Sequence, residues 1–177
     1  NRPKDPSEFY AGNAGLTDVL LSDLETAGDA CPVLVTSSIQ AALDNDYGKS
    51  KKQAEDAIFA HGSRTGAPVY VFRMEGVFGK WCRPNYNSVV ATFCHNISHD
   101  LPIQVNDPST QLELLYIDDL VEELLDALEG HPHRCDYQGL MPLLREDGKY
   151  CYASPTHEVT LGEIVELLES FKAQPQP

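Results

Sequence analysis

The chain has 177 residues, 42% of them apolar and 23% charged, and thirteen basic against twenty-seven acidic side chains leave a formal charge of −14. Such a composition folds into one domain, or a domain with a small lobe, around a sizeable core. Its charge repels a phosphate backbone, which excludes nucleic acid as a partner. No apolar run nears the roughly 20 residues that cross a bilayer and no basic-then-apolar leader is seen, so no membrane association is expected, while an odd, unpatterned set of five cysteines favours a reducing, cytoplasmic setting.

From Pro6 to about Ala27 the apolar residues Phe9, Leu16, Val19, Leu20 and Leu24 recur at helical spacing, and Gly28 and Asp29 end the predicted helix. Pro32 to Ser38 (PVLVTSS) is a β-branched apolar run of the kind that forms a buried parallel strand. Between about Asp46 and His61, Tyr47, Lys51, Ala54, Ala57 and Ile58 follow a helical pattern closed by Gly62 and Gly66. Val69 to Arg73 is a second buried strand. Strand, helix and strand with short links make a βαβ unit, hence a parallel sheet with a right-handed crossover.

A Gly- and Pro-rich loop, Gly76 to Pro84, precedes a helix with Val89, Val90, Phe93 and Ile97 on one face. Pro102 to Val105 and Leu112 to Ile117 read as short extended pieces. Asp118 or Asp119 is expected to cap the helix that carries Leu120, Val121, Leu124, Leu125 and Leu128. The polar stretch from Gly130 to Tyr150 reads as an insertion loop, Cys151 to Ala153 as a last strand, and Thr160 with Glu163 as the capping box of a final helix to about Lys172. Cysteines 31, 82, 94, 135 and 151 form an unpatterned set, with Cys31 and Cys94 expected as small core residues. His131, His133 and Cys135 carry donor atoms for zinc, but their spacing matches no standard finger, so a solvated loop and no metal is the expectation.

The constellation that carries chemistry is Thr36-Ser37-Ser38 at the end of one strand, followed by Tyr47-Gly48-Lys49-Ser50-Lys51 opening the next helix. Ligands of open parallel sheets bind beyond the carboxyl ends of the strands, which places the serine hydroxyls and Tyr47 at one rim. Tyr47 and Lys51 are four apart and share a helical face. A lysine ammonium near a phenol favours the phenolate, and such a tyrosine can exchange a proton at a carbinol or ketone. The bland alternative is a helix start where Tyr47 packs and Lys51 is solvated. A Tyr-x-x-x-Lys spacing is weak by itself, and the Ser-Ser strand end before it and Arg73-x-x-x-Val77-Phe78-Gly79 after it supply the context.

In these segments the chain resembles the extended short-chain dehydrogenases/reductases, the nucleotide-sugar epimerase/dehydratase family. Ser38, Tyr47 and Lys51 match that family's catalytic triad, and Asn13, Arg73 through Gly79 and Tyr116-Ile117-Asp118-Asp119-Leu120 fall on its recurring signatures. Residues 37–40, 78–89 and 160–164 are similar, within the family, to reductases of bacterial capsular-polysaccharide synthesis. The resemblance implies the later part of a doubly wound (Rossmann-like) α/β sheet plus a small, mainly helical substrate lobe. It implies NADP(H), with NAD(H) as the other possibility, and reduction of the C-4 ketone of a UDP-linked 6-deoxy amino sugar. Tyr47 would be the general acid, Lys51 would hold the nicotinamide ribose, Ser38 would orient the keto oxygen and Arg73 would lie at the cofactor.

Two departures accompany the resemblance. No Gly-x-x-Gly-x-x-Gly loop for the pyrophosphate stands in the chain, so the segment is expected to be the back part of its parent, to bind cofactor poorly and to be inactive alone. Where many relatives have an arginine before the Tyr116–Asp119 motif, this chain has Leu112. Lys80 and Arg83 are the candidates for the substrate phosphates, with solvated loop charges as the alternative. Gln40, Asn85 and Asn87 are candidates for the sugar or uridine, or else turn formers. Ile39-Gln40 stands where a dehydratase has an Asp-Glu pair, which favours a reductase over that rival; a non-catalytic relative is the other rival. The expected organisation is 1–82 for the later dinucleotide-binding elements, 83–172 for the substrate lobe with a returning strand, and 173–177 for a disordered tail. Pro32 to Ser38 would form an unpaired sheet edge, so a homo-oligomer is expected.

Overall fold

The computed structural model describes residues 5–175. Its first elements are α1 (Ser7–Tyr10), a π turn (Ala11–Gly15), α2 (Leu16–Ala27), β1 (Val33–Ser38), a 3-10 turn (Ile39–Ala42), α3 (Asp46–Thr65) and β2 (Val69–Met74). There follow β3 (Gly76–Phe78), α4 (Val89–Ser98), β4 (Gln111–Tyr116) and α5 (Ile117–Leu128). The last are β5 (Arg134–Gln138), β6 (Met141–Leu144), β7 (Tyr150–Cys151), β8 (Thr156–Thr160) and α6 (Leu161–Lys172).

Of the described residues, 5–74 and 121–153 form one compact unit and 75–120 with 154–175 form a second. The division therefore falls at Met74 rather than after residue 82, and the chain crosses back within α5. The first unit holds a five-stranded sheet ordered β1-β2-β7-β5-β6. β1 and β2 are parallel and in register from Val33↔Val69 to Ser38↔Met74, as the βαβ pattern predicts. Leu21, Val33, Ile58, Val71, Cys135 and Tyr150 form its core.

The stretch 130–150 is not a loop. Cys135 pairs with Leu144 and Gln138 with Met141 in an antiparallel hairpin, and Arg134 and Cys135 pair with Cys151 and Tyr150 of β7. β7 in turn lies parallel to β2 through Phe72↔Cys151, so the polar hairpin continues the sheet. Its polarity misleads because Cys135 is the one fully buried residue of β5, and of the others Tyr137 packs half-buried against the core beside Tyr150.

The second unit carries α4 and α6 on a three-stranded sheet, β3-β4-β8, so the small, largely helical lobe has a sheet of its own. β8 had no signal in the sequence; it runs antiparallel to β4 from Gln111↔Thr160 to Leu115↔Thr156. Phe93, Leu114 and Ile164 centre its core. Thr160 and Glu163 make the expected capping box. Residues 102–105 form no strand, and α5 starts at Ile117, so Asp118 and Asp119 lie inside its first turn, where carboxylates favour the helix dipole. The expected tail at 173–177 lies partly outside the described residues.

The helix before β1 differs from its pattern in which face is inward. Leu21 is buried, whereas Leu16, Val19 and Leu20 are 66, 60 and 52% exposed. Cys94 is exposed as well, against the expectation of a core residue. α3 runs through Gly62 to Thr65 and ends on Gly66 in the left-handed region (φ 77°). Gly62 serves packing instead: a Cβ there would stand 2.9 Å from the Val69 side chain.

Gly48 meets a stricter limit. A Cβ at Gly48 would lie 2.3 Å from the Gln40 carbonyl oxygen and 2.6 Å from that of Leu43, both backbone atoms that cannot yield. Gly48→Ala is expected to lower stability by about 3 kcal/mol, the upper end for overpacking, read as a drop in thermal midpoint; an unchanged midpoint would show that α3 and the 3-10 turn can separate freely.

Candidate active site

The start of α3 is fixed from three directions. Asn45 caps it by accepting a hydrogen bond from the Gly48 amide at 2.8 Å. The Phe9 ring packs edge-on against Tyr47 with centroids 5.4 Å apart, and the Tyr10 hydroxyl donates to Asp46 at 3.1 Å. Asn13, in the π turn, donates from Nδ2 to Ser50 Oγ at 2.9 Å, and Ser50 Oγ donates to the Tyr47 carbonyl at 2.7 Å. A π turn re-aims side chains within a helix and recurs at functional sites; here it directs Asn13 at the turn that bears Tyr47.

Tyr47 and Lys51 come together as their spacing predicts, with Lys51 Nζ 5.9 Å from the Tyr47 ring centroid. Both are half-buried. Burial holds the Lys51 ammonium below its usual pKa, and the charge of Glu55 opposes that shift. Beside Lys51 lies a cavity of about 220 Å3, bordered by Asn13 and Thr17 on the helical side and Thr36 and Ser37 on β1. Ser38 ends β1, and its Oγ accepts from the Gln40 amide at 3.2 Å as the cap of the 3-10 turn. The Gln40 side chain is exposed.

Arg73 departs from expectation. Its guanidinium is not turned towards an open cofactor site but is 7% exposed, with Nε 2.9 Å from Glu55 Oε1 and Nη2 2.7 Å from Oε2. Nη2 also donates to the Tyr150 hydroxyl at 2.9 Å, and the guanidinium carbon stacks 4.3 Å from the Tyr150 ring centroid and 5.0 Å from that of Tyr137. Ser37 Oγ donates to Glu55 Oε1 at 2.6 Å. Burial and the Glu55 charge push the Tyr150 phenol up to about 12. A fully buried glutamate needs a cation, and Arg73 meets that need. Glu55 and Tyr150 escaped the sequence reading, and Ser37, expected as a rim hydroxyl beside Ser38, is buried on Glu55 instead. The available signal was the stripe Tyr47, Lys51, Glu55 at successive four-residue steps, ending on a residue that the neighbouring core positions bury.

In the second unit the loop after β3 carries the other candidates. Lys80 is exposed and ion-paired with Asp118 at 2.5 Å, whereas Arg83 is exposed and lies 5.9 Å from the Tyr86 ring centroid. Asn85 and Asn87 are exposed, Asn85 with φ 55°, so its turn-forming role is real. Trp81 has φ 66° and is 98% exposed. A cavity of about 580 Å3 opens below the loop, with Phe78, Cys82, Pro84, Val90, Leu114 and Phe171 among its walls. Burial pushes the Glu75 carboxyl up to about 7, and the nearby Glu113 charge adds to it.

His133, Cys135 and His131 do not converge on a metal position. His133 Nδ1 bonds Glu123 at 2.8 Å and Cys135 is fully buried in the sheet; among the described residues no three such side chains gather. Among those residues, also, no helix is long and apolar enough to cross a membrane.

Comparison with known proteins bears on this geometry. Residues 2–137 match the model of the NAD dependent epimerase/dehydratase family. The chain is 43% identical over 172 residues to the UDP-2-acetamido-2,6-beta-L-arabino-hexul-4-ose reductase of Pseudomonas aeruginosa, covering 97% of this chain and 43% of that protein. It superposes on the crystal structure of the capsular polysaccharide assembling protein CapF from Staphylococcus aureus with TM-score 0.77 and 42% identity, over 88% of this chain and 40% of that one. A UDP-glucuronic acid 4-epimerase from Bacillus cereus in complex with NAD superposes with TM-score 0.77 at 16% identity, over 99% and 57% of the two chains. That last likeness shows the Rossmann-like α/β fold. The chain spans less than half the length of the relatives that resemble it in sequence.

Glu75 supplies a test of the second unit. A carboxyl whose pKa rises from 4.5 to about 7 on folding opposes folding above pH 7, and that penalty fades as the pH falls towards 4.5. Glu75→Gln is expected to raise stability at pH 8 by about 2–3 kcal/mol and to leave it unchanged at pH 4. Denaturant melts across this range check the sign.

Proposed function

The chain belongs to the NAD dependent epimerase/dehydratase family, and from that premise we propose that it carries the proton-transfer centre and sugar-side lobe of an NADP(H)-dependent reductase of the C-4 ketone of a UDP-linked 6-deoxy amino sugar. The observation that carries this reading is the pairing of Lys51 with Tyr47 on α3, directly after the strand that ends in Ser38. The relative from Pseudomonas aeruginosa, by its name, reduces such a hexulose, and the length of chain that matches it takes in every candidate residue.

The residues present suit a nicotinamide cofactor. Lys51 makes no ion pair among the described residues, and its ammonium borders the 220 Å3 cavity, so its N–H groups are available to ribose hydroxyls. The bound cofactor would supply the hydride for the ketone carbon. Tyr47 gives its phenolic proton to the ketone oxygen, which becomes the carbinol, and Lys51 places a positive charge beside the phenolate that remains. Ser38 holds the same oxygen by a hydrogen bond. Arg83, with Lys80 when it leaves Asp118, meets the diphosphate, and Gln40, Asn85 and Asn87 offer polar groups to the sugar and base. The pyrophosphate of the cofactor needs a glycine-rich turn at a helix N-terminus, so residues 1–177 alone bind it weakly.

Tyr47→Phe in the full-length protein is expected to leave cofactor affinity intact and lower turnover by roughly 100-fold. Turnover near that of wild type would remove Tyr47 as the proton donor and with it this reading.

We also propose self-association along the edge of β1 that no strand covers among the described residues. Among the described residues β1 pairs with β2 alone, and Leu16, Val19 and Leu20 of α2 are exposed apolar side chains. An open strand edge invites pairing with a second copy. Light scattering of the chain at tens of micromolar is expected to report a dimer; a monodisperse monomer would argue against it.

A further inference from the structure

Glu55 occupies a position where a carboxylate is costly, and its contacts reach further than the ion pair with Arg73. Its side chain is 0% exposed. Each partner comes from a different strand: Ser37 from β1 at 2.6 Å, Arg73 from β2 at 2.7 and 2.9 Å, and the Tyr150 hydroxyl from β7 at 3.4 Å. Ser37 is the residue before Ser38. Tyr47, Lys51 and Glu55 follow one another at four-residue steps along one face of α3. A single carboxylate thus ties the helix that bears Tyr47 and Lys51 to the strand that bears Ser38.

The same carboxylate is the charge that opposes the desolvation of Lys51. The groups that face this pair from the packed elements are Ser37 and Thr36 on β1, Arg73 on β2, Tyr150 on β7 and the neutral Asn13 and Thr17 on the helical side. Arg73 acts on Glu55 and does not figure among the influences on Lys51.

We propose that Glu55 is a positioning residue of the Ser38–Tyr47–Lys51 centre, clamping α3 to β1 through Ser37 and Arg73 and serving as the counter-charge of the Lys51 ammonium. Its meaning for catalysis rests on the reductase reading above. Its test does not, because Lys51 can be titrated without turnover.

The test follows the Lys51 Cε carbon resonance against pH in the 177-residue chain. Glu55→Gln removes the charge that favours the protonated lysine, so the Lys51 midpoint should fall by roughly one pH unit. Glu55→Asp keeps the charge and should restore most of the shift. Glu55→Gln leaves Arg73 buried without its partner and can fail to fold, so Glu55→Met combined with Arg73→Met is the second variant; apolar replacement of a whole buried pair is well tolerated. The double variant should melt near wild type and still show the lowered midpoint. A folded double variant with an unmoved Lys51 midpoint, or a Glu55→Asp midpoint as low as that of Glu55→Gln, overturns the proposal. A purely structural clamp would move melting temperatures and leave the Lys51 midpoint in place. Absence of reductase turnover in the full-length protein would count against the reductase reading and leave this result standing.

Discussion

The buried pair of Glu55 and Arg73 is the interaction on which the placing of α3, and with it the Ser38–Tyr47–Lys51 centre, depends. Two opposite charges are removed from water there, Glu55 fully and Arg73 almost so. The cost of that desolvation is several kcal/mol per ion. It is offset only because the geometry is bidentate and because Ser37 and Tyr150 use the remaining hydrogen-bonding capacity. The result is specific rather than merely stabilising. An apolar contact at this place would let α3 slide along the sheet, whereas a two-pronged ion pair accepts one position. Tyr47 and Lys51, two and one helical steps before Glu55, inherit that position.

The rim of the second unit is held by a different balance. Gly79 has φ 134°, and a Cβ there would come within 2.5 Å of Ile117 and 2.8 Å of Tyr116, so the loop leaves β3 tightly against the end of β4. That close turn carries Lys80 to Asp118, and it leaves Trp81 and Asn85 in the left-handed region, which costs about 1–3 kcal/mol for each residue other than glycine. The Tyr116–Asp119 segment thereby acts as the floor of the loop that holds the candidate substrate contacts. Backbone strain of this kind is retained where the surroundings dictate it, here by the packing of Gly79 on Tyr116 and Ile117.

Polarity was a poor guide wherever a strand has only one wet face or none of its own core. The hairpin of β5 and β6 contributes a single fully buried residue, Cys135, so its composition is that of a loop while its backbone completes the sheet. β8 is similar: Thr156 to Thr160 holds His157, Glu158 and two threonines, and it is a strand because β4 offers it a ladder. Helices fared better, since a capping box or a terminal glycine is a local device, as at Thr160 with Glu163 and at Gly28 and Gly66. The exception is α2, where apolar residues surround more than one side and spacing alone could not say that Leu21 would be the buried one.

Local chemistry and spacing therefore decided the helices, the β1–α3–β2 unit and the approach of Tyr47 to Lys51, because a four-residue step on a helix fixes two side chains on one face whatever surrounds it. The order Ser38, Tyr47, Lys51 along a strand, turn and helix followed from the same short-range rules. What only the tertiary structure decided is which charged groups go inside. Arg73 and Glu55 are eighteen residues apart in sequence and belong to separate elements. Nothing local distinguishes an arginine that meets a ligand from one that neutralises a buried carboxylate. That choice is made by desolvation once α3 packs on β1, β2 and β7, when a glutamate without water must find a cation or lose its charge.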